Sequence, residues 1–307
     1  MSALQRRQFI TRVGQTAGLV ILGATLKSGL VGCSGNVTES NETSSSPAPV
    51  SSSGLMIPGN LQWGGEATSG APYVFYNPQS PAELIGFEVE IAQALAEQLG
   101  AKPTFLQTSY AQLGASLAAN RFDMIMNGWE IDADREKTQI FSVPYYRYGQ
   151  QIVVRADDER FAKFNADSEM SLADLAGMTV GTGLGYKAQE ILESDPNLTP
   201  RTYDGNLPFD DLIQKRIDAV FIDSPIVAYY VLGSGPGGTV ETALKPIGRP
   251  FYLNNYVLAF NKSSPKAETL KAEIDQALGN LKTNGTLKGI YEKWKMWNSQ
   301  QAEIGIS

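Results

Sequence analysis

Arg135 and Asp223 are the residues whose types and positions could do the most chemistry. Each comes shortly after an apolar run that breaks into polar residues, as a buried strand does on reaching a rim. Met124-Ile125-Met126 breaks at Asn127-Gly128, and a polar loop leads to Arg135, with Asp132 placed to cap a short helix. A guanidinium held there can grip a carboxylate through two parallel hydrogen bonds. Ala219-Val220-Phe221-Ile222 ends at Asp223, and Ser224-Pro225 then reads as the cap and first-turn proline of a helix. Small ligands of open α/β sheets sit at such strand ends. The bland alternatives are a solvated surface arginine and a plain capping acid. Arg121-Phe122-Asp123 before the first strand echoes Arg216-Ile217-Asp218 before the second, which suggests two lobes of similar construction.

Much other chemistry is excluded by composition. The chain has no histidine, which removes Ser-His-Asp and Cys-His catalysis and the commonest zinc ligand. Its one cysteine, Cys33, closes the run Leu30-Val31-Gly32-Cys33 behind the paired Arg6-Arg7 and a mildly apolar stretch. These features resemble a twin-arginine export signal over residues 1–32 and a bacterial lipoprotein box, with lipidation expected on Cys33. Residues 33–59, rich in Ser, Thr, Pro and Gly, read as a flexible tether. Without its first 32 residues the chain holds 21 basic and 32 acidic residues, a net charge of −11, with no basic cluster. Nucleic acid is therefore not an expected partner.

The elements that must position these residues follow from periodicity. Leu61 to Glu66 reads as a strand running into a glycine turn. Ala71-Pro72-Tyr73-Val74-Phe75 reads as an extended segment with Tyr73 and Phe75 on one face. In GFEVEIAQALAEQLG, Phe87, Ile91, Leu95 and Leu99 recur every four residues, and Gly100 closes the helix. A second helix runs from about Tyr110 to Ala119. Met178 to Gly183 is a strand entering the turn Gly183-Leu184-Gly185-Tyr186-Lys187, which lacks the spacing of a phosphate loop but presents backbone N–H groups where a helix begins. Tyr145–Arg155 and Tyr252–Phe260 are extended enough to serve as crossovers between lobes. The alternation of strands and helices predicts α/β layers with mainly parallel sheets.

Together these pieces resemble the family 3 solute-binding proteins that serve ABC transporters for amino acids, over roughly residues 61 to 297. GFEVEIAQALAEQLG is similar to that family's GFDVDLAKAIAKKLG, and RFDMIMNGWEIDADREKTQIFSVPYY to its strand, polar loop, arginine and FSDPYY segment. RIDAVFIDSPIVAYY and NGTLKGIYEKW match two further signatures. The resemblance implies a two-lobed periplasmic-binding-protein type II fold with two hinge strands and the ligand in the interlobe cleft. Lobe 1 would hold residues 60–149 and 253–307, lobe 2 residues 150–252. It implies that Arg135 pairs with the α-carboxylate of a free amino acid and Asp223 with its α-ammonium. Glu66 would help select the side chain, Tyr73 or Phe75 would flank the ligand, and Gly185-Tyr186-Lys187 would contribute backbone groups without the family's threonine hydroxyl. Gly128 and Trp129 fall in the same binding segment, Trp129 as an aromatic wall or a core residue.

Glu130 departs most from the family pattern, which has Thr or Ser there. It could pair with Arg135 or Lys187, point away, or meet a cationic part of the ligand. With Glu66 it would favour a polar or basic amino acid. The expected protein is an exported, monomeric, membrane-anchored, non-enzymatic partner of an ABC permease that needs no cofactor and no metal. The rivals are an enzyme on the same scaffold, of the cyclohexadienyl dehydratase kind with Glu130 or Glu66 as its acid, and a ligand-sensing module.

Overall fold

The computed structural model describes residues 52–204 and 207–307. The expected export signal, Cys33 and most of the tether lie outside these residues. The chain forms β1 (Asn60–Gly65), a hairpin of β2 (Phe75–Asn77) and β3 (Ser80–Ile85), α1 (Phe87–Gln98), β4 (Lys102–Gln107), α2 (Leu113–Ala118), β5 (Met124–Ile125) and β6 (Gln139–Phe141). The long strand β7 (Tyr146–Arg155) leads to β8 (Thr179–Gly183), α3 (Lys187–Glu193), β9 (Thr199–Tyr203), α4 (Phe209–Ile213), β10 (Ala219–Asp223) and α5 (Ser224–Tyr230). A second long strand, β11 (Leu244–Tyr256), returns to β12 (Ala259–Asn261), α6 (Ala267–Thr283) and α7 (Thr286–Lys293).

Two five-stranded sheets result, ordered β4-β1-β5-β12-β6 and β11-β7-β10-β8-β9. Each has three parallel strands, but β12 is antiparallel to β5 and β6, and β7 to β10 and β11. The sheets are thus mixed rather than mainly parallel, because the chain enters and leaves the second lobe along the antiparallel pair β7–β11. These two strands join the lobes.

The echo between the lobes is a shared device. Asp123 and Asp218 each accept a hydrogen bond from the backbone N–H of a neighbouring strand, Gln62 at 2.8 Å and Thr179 at 3.0 Å. Each also donates its own N–H to that same residue's carbonyl, at 2.9 Å in both lobes. The two carboxylates thereby fix the registers of β5 against β1 and of β10 against β8. Helix α1 buries Phe87, Ile91, Ala92 and Leu95, each large side chain stabilising by roughly 1.5–3 kcal/mol. It ends as expected: Gly100 is left-handed, and the N–H groups of Gly100 and Ala101 return to the carbonyls of Glu97 and Ala96.

Three further expectations are corrected. Residues 52–59 are not tether: Leu55 is buried, and Ser52, Ser53 and Gly54 all bond the Glu273 carboxylate on α6. Residues 71–74 are not extended. The N–H groups of Tyr73 and Val74 both return to the Gly70 carbonyl, so strand alternation fails there. Phe75 consequently packs against Tyr229 and Trp294 in the core, away from Tyr73. Finally, the helix cap after β10 is Asp223, with Ser224 already inside α5.

Candidate functional site

The carboxyl ends of the parallel strands converge between the lobes. Glu66 follows β1, Tyr110 follows β4, Asn127 to Glu130 follow β5, Gly185 to Lys187 follow β8, and Asp223 ends β10. A cavity of about 20 Å³ lies among Glu66, Gly70, Tyr73, Tyr110, Asn127, Gly128, Tyr186, Asp223 and Ile226. That is about the room of one or two water molecules, or of one charged head group. Two carboxylates and three tyrosine rings line it, and no basic residue does.

Asp223 occupies a helix-cap position but makes no cap bond. Its Oδ1 accepts from Gln150 Nε2 at 2.7 Å, and its Oδ2 from the Tyr256 hydroxyl at 2.6 Å. The Tyr73 hydroxyl lies 2.7 Å from that of Tyr256, completing a buried chain. An ionised carboxylate has about four acceptor sites, so a ligand donor can still be accommodated. Burial, followed by the nearby Glu130 charge, pushes the Asp223 carboxyl up to about 7. Glu66 Oε1 accepts from Thr68 N–H and Gln107 Nε2, while Asn127 Oδ1 takes the Glu66 N–H at 2.8 Å. Gly128 has a left-handed backbone, and a Cβ there would stand 3.0 Å from the Tyr73 ring. Only glycine lets the loop meet this wall of the cavity. Its N–H is held at 2.7 Å by Glu88, whose carboxyl burial raises to about 8.

Outside this cavity is an open groove of about 470 Å³, lined by Glu130, Asp132, Arg135, Gly185, Tyr186, Lys187, Gln189, Glu190, Glu193 and Ser194. Tyr186 borders both spaces, and its ring meets Tyr110 of the opposite lobe with centroids 5.0 Å apart. Arg135 lies in the groove rather than the cavity. Its Nη1 donates to the Glu130 carbonyl at 2.9 Å and to Glu130 Oε2 at 3.0 Å; its Nε meets Asp132 Oδ2 at 2.9 Å. Its guanidinium carbon lies 3.6 Å from the centroid of the Trp129 ring, a cation–π contact, and Trp129 Nε1 donates to Gln139. Trp129 is thus a buried platform for Arg135. Glu130, only 2% exposed, is also held by the Tyr148 hydroxyl at 2.8 Å. Lys187 pairs with its own helix neighbour Glu190 at 2.5 Å.

Of the expected site residues, the cavity brings together Glu66, Tyr73, Gly128, Tyr186 and Asp223. The groove collects Glu130, Arg135, Gly185 and Lys187, and Phe75 and Trp129 belong to neither. Sequence reasoning missed Tyr110 and Asn127 as wall residues and Gln150, Tyr148 and Tyr256 as partners of the acids. Tyr110 and Asn127 were findable, since both stand just past strand ends of the same sheet.

This architecture is that of a two-lobed binding protein with its site in the interlobe cleft. Residues 63–296 match the model of the bacterial extracellular solute-binding proteins, family 3, and the chain belongs to that family. It is 32% identical over 214 residues to the L-cystine-binding protein TcyJ of Escherichia coli K12, covering 69% of this chain and 74% of that protein. Over 214 residues it is 27% identical to the ABC transporter arginine-binding protein 1 of the same organism, covering 69% and 82%. Among solved structures it is similar to an ancestral arginine-binding protein bound to arginine, with 31% identity, TM-score 0.64 and coverage of 77% of this chain and 98% of that one. An ancestral amino-acid-binding protein that is a precursor of cyclohexadienyl dehydratase gives 29%, 0.65, 77% and 95%. The family is one of binding proteins, and the protein is not an enzyme.

Proposed function

We propose that the chain is the substrate-binding subunit of an ABC importer, capturing a small amine-bearing solute of the amino-acid class outside the cytoplasm, anchored by lipid on Cys33. One observation carries this: the inner cavity has two carboxylates, three tyrosine faces and no cation, the surroundings an ammonium group requires. The names of relatives that bind arginine and cystine support the solute class. Lobe 1 comprises residues 60–149 and 253–307, lobe 2 residues 150–252, and β7 with β11 is the hinge.

Glu66, Tyr73 and Tyr110 come from one lobe, Asp223 and Tyr186 from the other. A solute reaches all of them only in the shut cleft, so its contacts favour closure. Micromolar affinity needs about 8 kcal/mol net, within reach of one desolvated ammonium–carboxylate pair and aromatic packing. A thermal-shift panel of the twenty amino acids, ornithine, citrulline and simple amines tests the proposal. Cationic members should raise the midpoint by mass action. A panel in which no amine-bearing solute moves it, or only glutamate and aspartate do, contradicts it.

A further inference from the structure

We infer, resting on the capture function proposed above, that Tyr256 on the hinge strand β11 is a positioning residue for the solute's amine. Its hydroxyl aims the Asp223 carboxylate into the cavity only when the hinge is shut, and its stack with Tyr148 ties the Arg135 side of the cleft to the same hinge.

Asp223 is held at both oxygens, by donors on different hinge strands. Gln150 on β7 stands opposite Asp223 in the antiparallel ladder and donates to Oδ1 at 2.7 Å. A cross-strand neighbour of this kind travels with the acid. The Tyr256 hydroxyl donates to Oδ2 at 2.6 Å from the far end of β11. Before reaching Tyr256, β11 slips register twice, between Ile247 and Phe251 and between Phe251 and Asn254, and Tyr252 has a left-handed backbone at φ 50°. The strand pair is therefore irregular where residues 150–252 join the rest of the chain. Bending there carries Tyr256 away from Asp223 while Gln150 stays with it.

Tyr256 is fully buried and lines neither the cavity nor the groove, so it acts on a solute only through Asp223. Its own direction is fixed on two sides. The Tyr73 hydroxyl lies 2.7 Å from its oxygen, and the Tyr148 ring stacks on its face with centroids 4.0 Å apart and planes 15° from parallel. The Tyr148 hydroxyl in turn donates to Glu130 Oε1 at 2.8 Å, and Glu130 holds Arg135 Nη1 at 3.0 Å. One stacked pair thus supports both charged poles of the cleft, Asp223 and Arg135. An amino acid carries its ammonium and carboxylate on one carbon, so poles of opposite sign must be held at a set separation to meet it.

Titration calorimetry of the full chain with L-arginine, L-lysine and L-ornithine, repeated across pH, tests the assignment. Tyr256→Phe keeps the ring and its stack and removes only the hydroxyl. It should weaken binding of the probes that the wild type takes up by roughly tenfold near neutrality, because a hydrogen bond to a charged group is lost. It should also move the pH at which affinity falls upward by about one unit, since the ionised carboxylate loses a donor. A role in packing alone would not move that profile. Asp223 also faces the acids Glu66 and Glu130 and the phenols of Tyr73, Tyr110 and Tyr186, which burial raises, and Glu88 stands near Tyr73. All of these are present in both proteins, so the difference between the two profiles reports Asp223. Tyr73→Phe removes the next hydroxyl of the chain; it should move the profile the same way by less, and serves if Tyr256→Phe misfolds. Tyr148→Phe, which releases Glu130 alone, should weaken binding with the profile unmoved. A wild-type profile in the Tyr256 and Tyr73 variants would overturn the positioning role and leave the capture function standing. Wild-type affinity in Tyr148→Phe would overturn the reach of the stack to Arg135. Failure of all three probes to bind the wild type would overturn both the inference and the capture function.

Discussion

The inner cavity and the outer groove lie side by side, share Tyr186, and treat charge in opposite ways. In the groove every cation already has an internal partner: Arg135 has Glu130 and Asp132, and Lys187 has Glu190. In the cavity Glu66 and Asp223 are held only by neutral donors, Gln107, Gln150, Tyr256 and the backbone. The charges with no counter-ion are therefore the acids at the deepest point of the cleft. A solute is recognised by the charge the protein leaves unanswered, and here that charge is negative.

Substitution at the cavity should break this contrast most strongly. Asp223→Asn should weaken binding of a cationic solute by about 2–5 kcal/mol, seen as a loss of heat on titration, because the ammonium is left unpaired. The same change removes a buried charge, so the unliganded melting midpoint should not fall.

The next largest effect is on pH. With the Asp223 carboxyl near 7 and an ammonium binding its ionised form, affinity should weaken toward tenfold per unit as pH falls below 7 and stay flat above it. Binding at pH 6 should release a proton, measurable by titration in buffers of different ionisation heat. Affinity unchanged between pH 5 and 8 would show that Asp223 does not meet the solute's charge.

Glu88, beneath Gly128, sharpens the comparison from the side of stability. Its carboxyl is raised from 4.5 to about 8 by burial, so the folded state holds a proton that the unfolded state has released. Its stabilising contribution is fully present below about 4.5 and is lost as pH rises to about 8, at up to about 1.4 kcal/mol per unit. Glu88→Gln should flatten denaturant-melt stability across that window while leaving affinity nearly unchanged.

The smallest effect belongs to the groove. Lys187→Ala removes a half-exposed pair with Glu190 and should shift affinity by no more than about 1 kcal/mol.

Much of the fold was legible because it depends on local pattern. Four-residue spacing marked α1, glycine marked its end, and the Arg-x-Asp echo marked the paired strands that two carboxylates register. What was not legible depends on where loops turn. Tyr73 and Phe75 are two residues apart, yet the turn closed on Gly70 sends one to the cavity and the other to the core. The position of Arg135 past β5 could be read from sequence. Its partner could not, since pairing with Glu130 or with a solute depends on a few ångströms of loop geometry. Gln150 and Tyr256 escaped notice because they lie within long strands whose pairing brings them under Asp223.

Titration calorimetry of the wild-type chain at pH 8 with agmatine, L-arginine and L-glutamate in separate cells is the most direct test of a cleft whose unanswered charge is negative. Saturable single-site binding of at least one of the two cationic solutes, with none of glutamate, is the result predicted. Saturable binding of glutamate, with no heat from either cation, would contradict it.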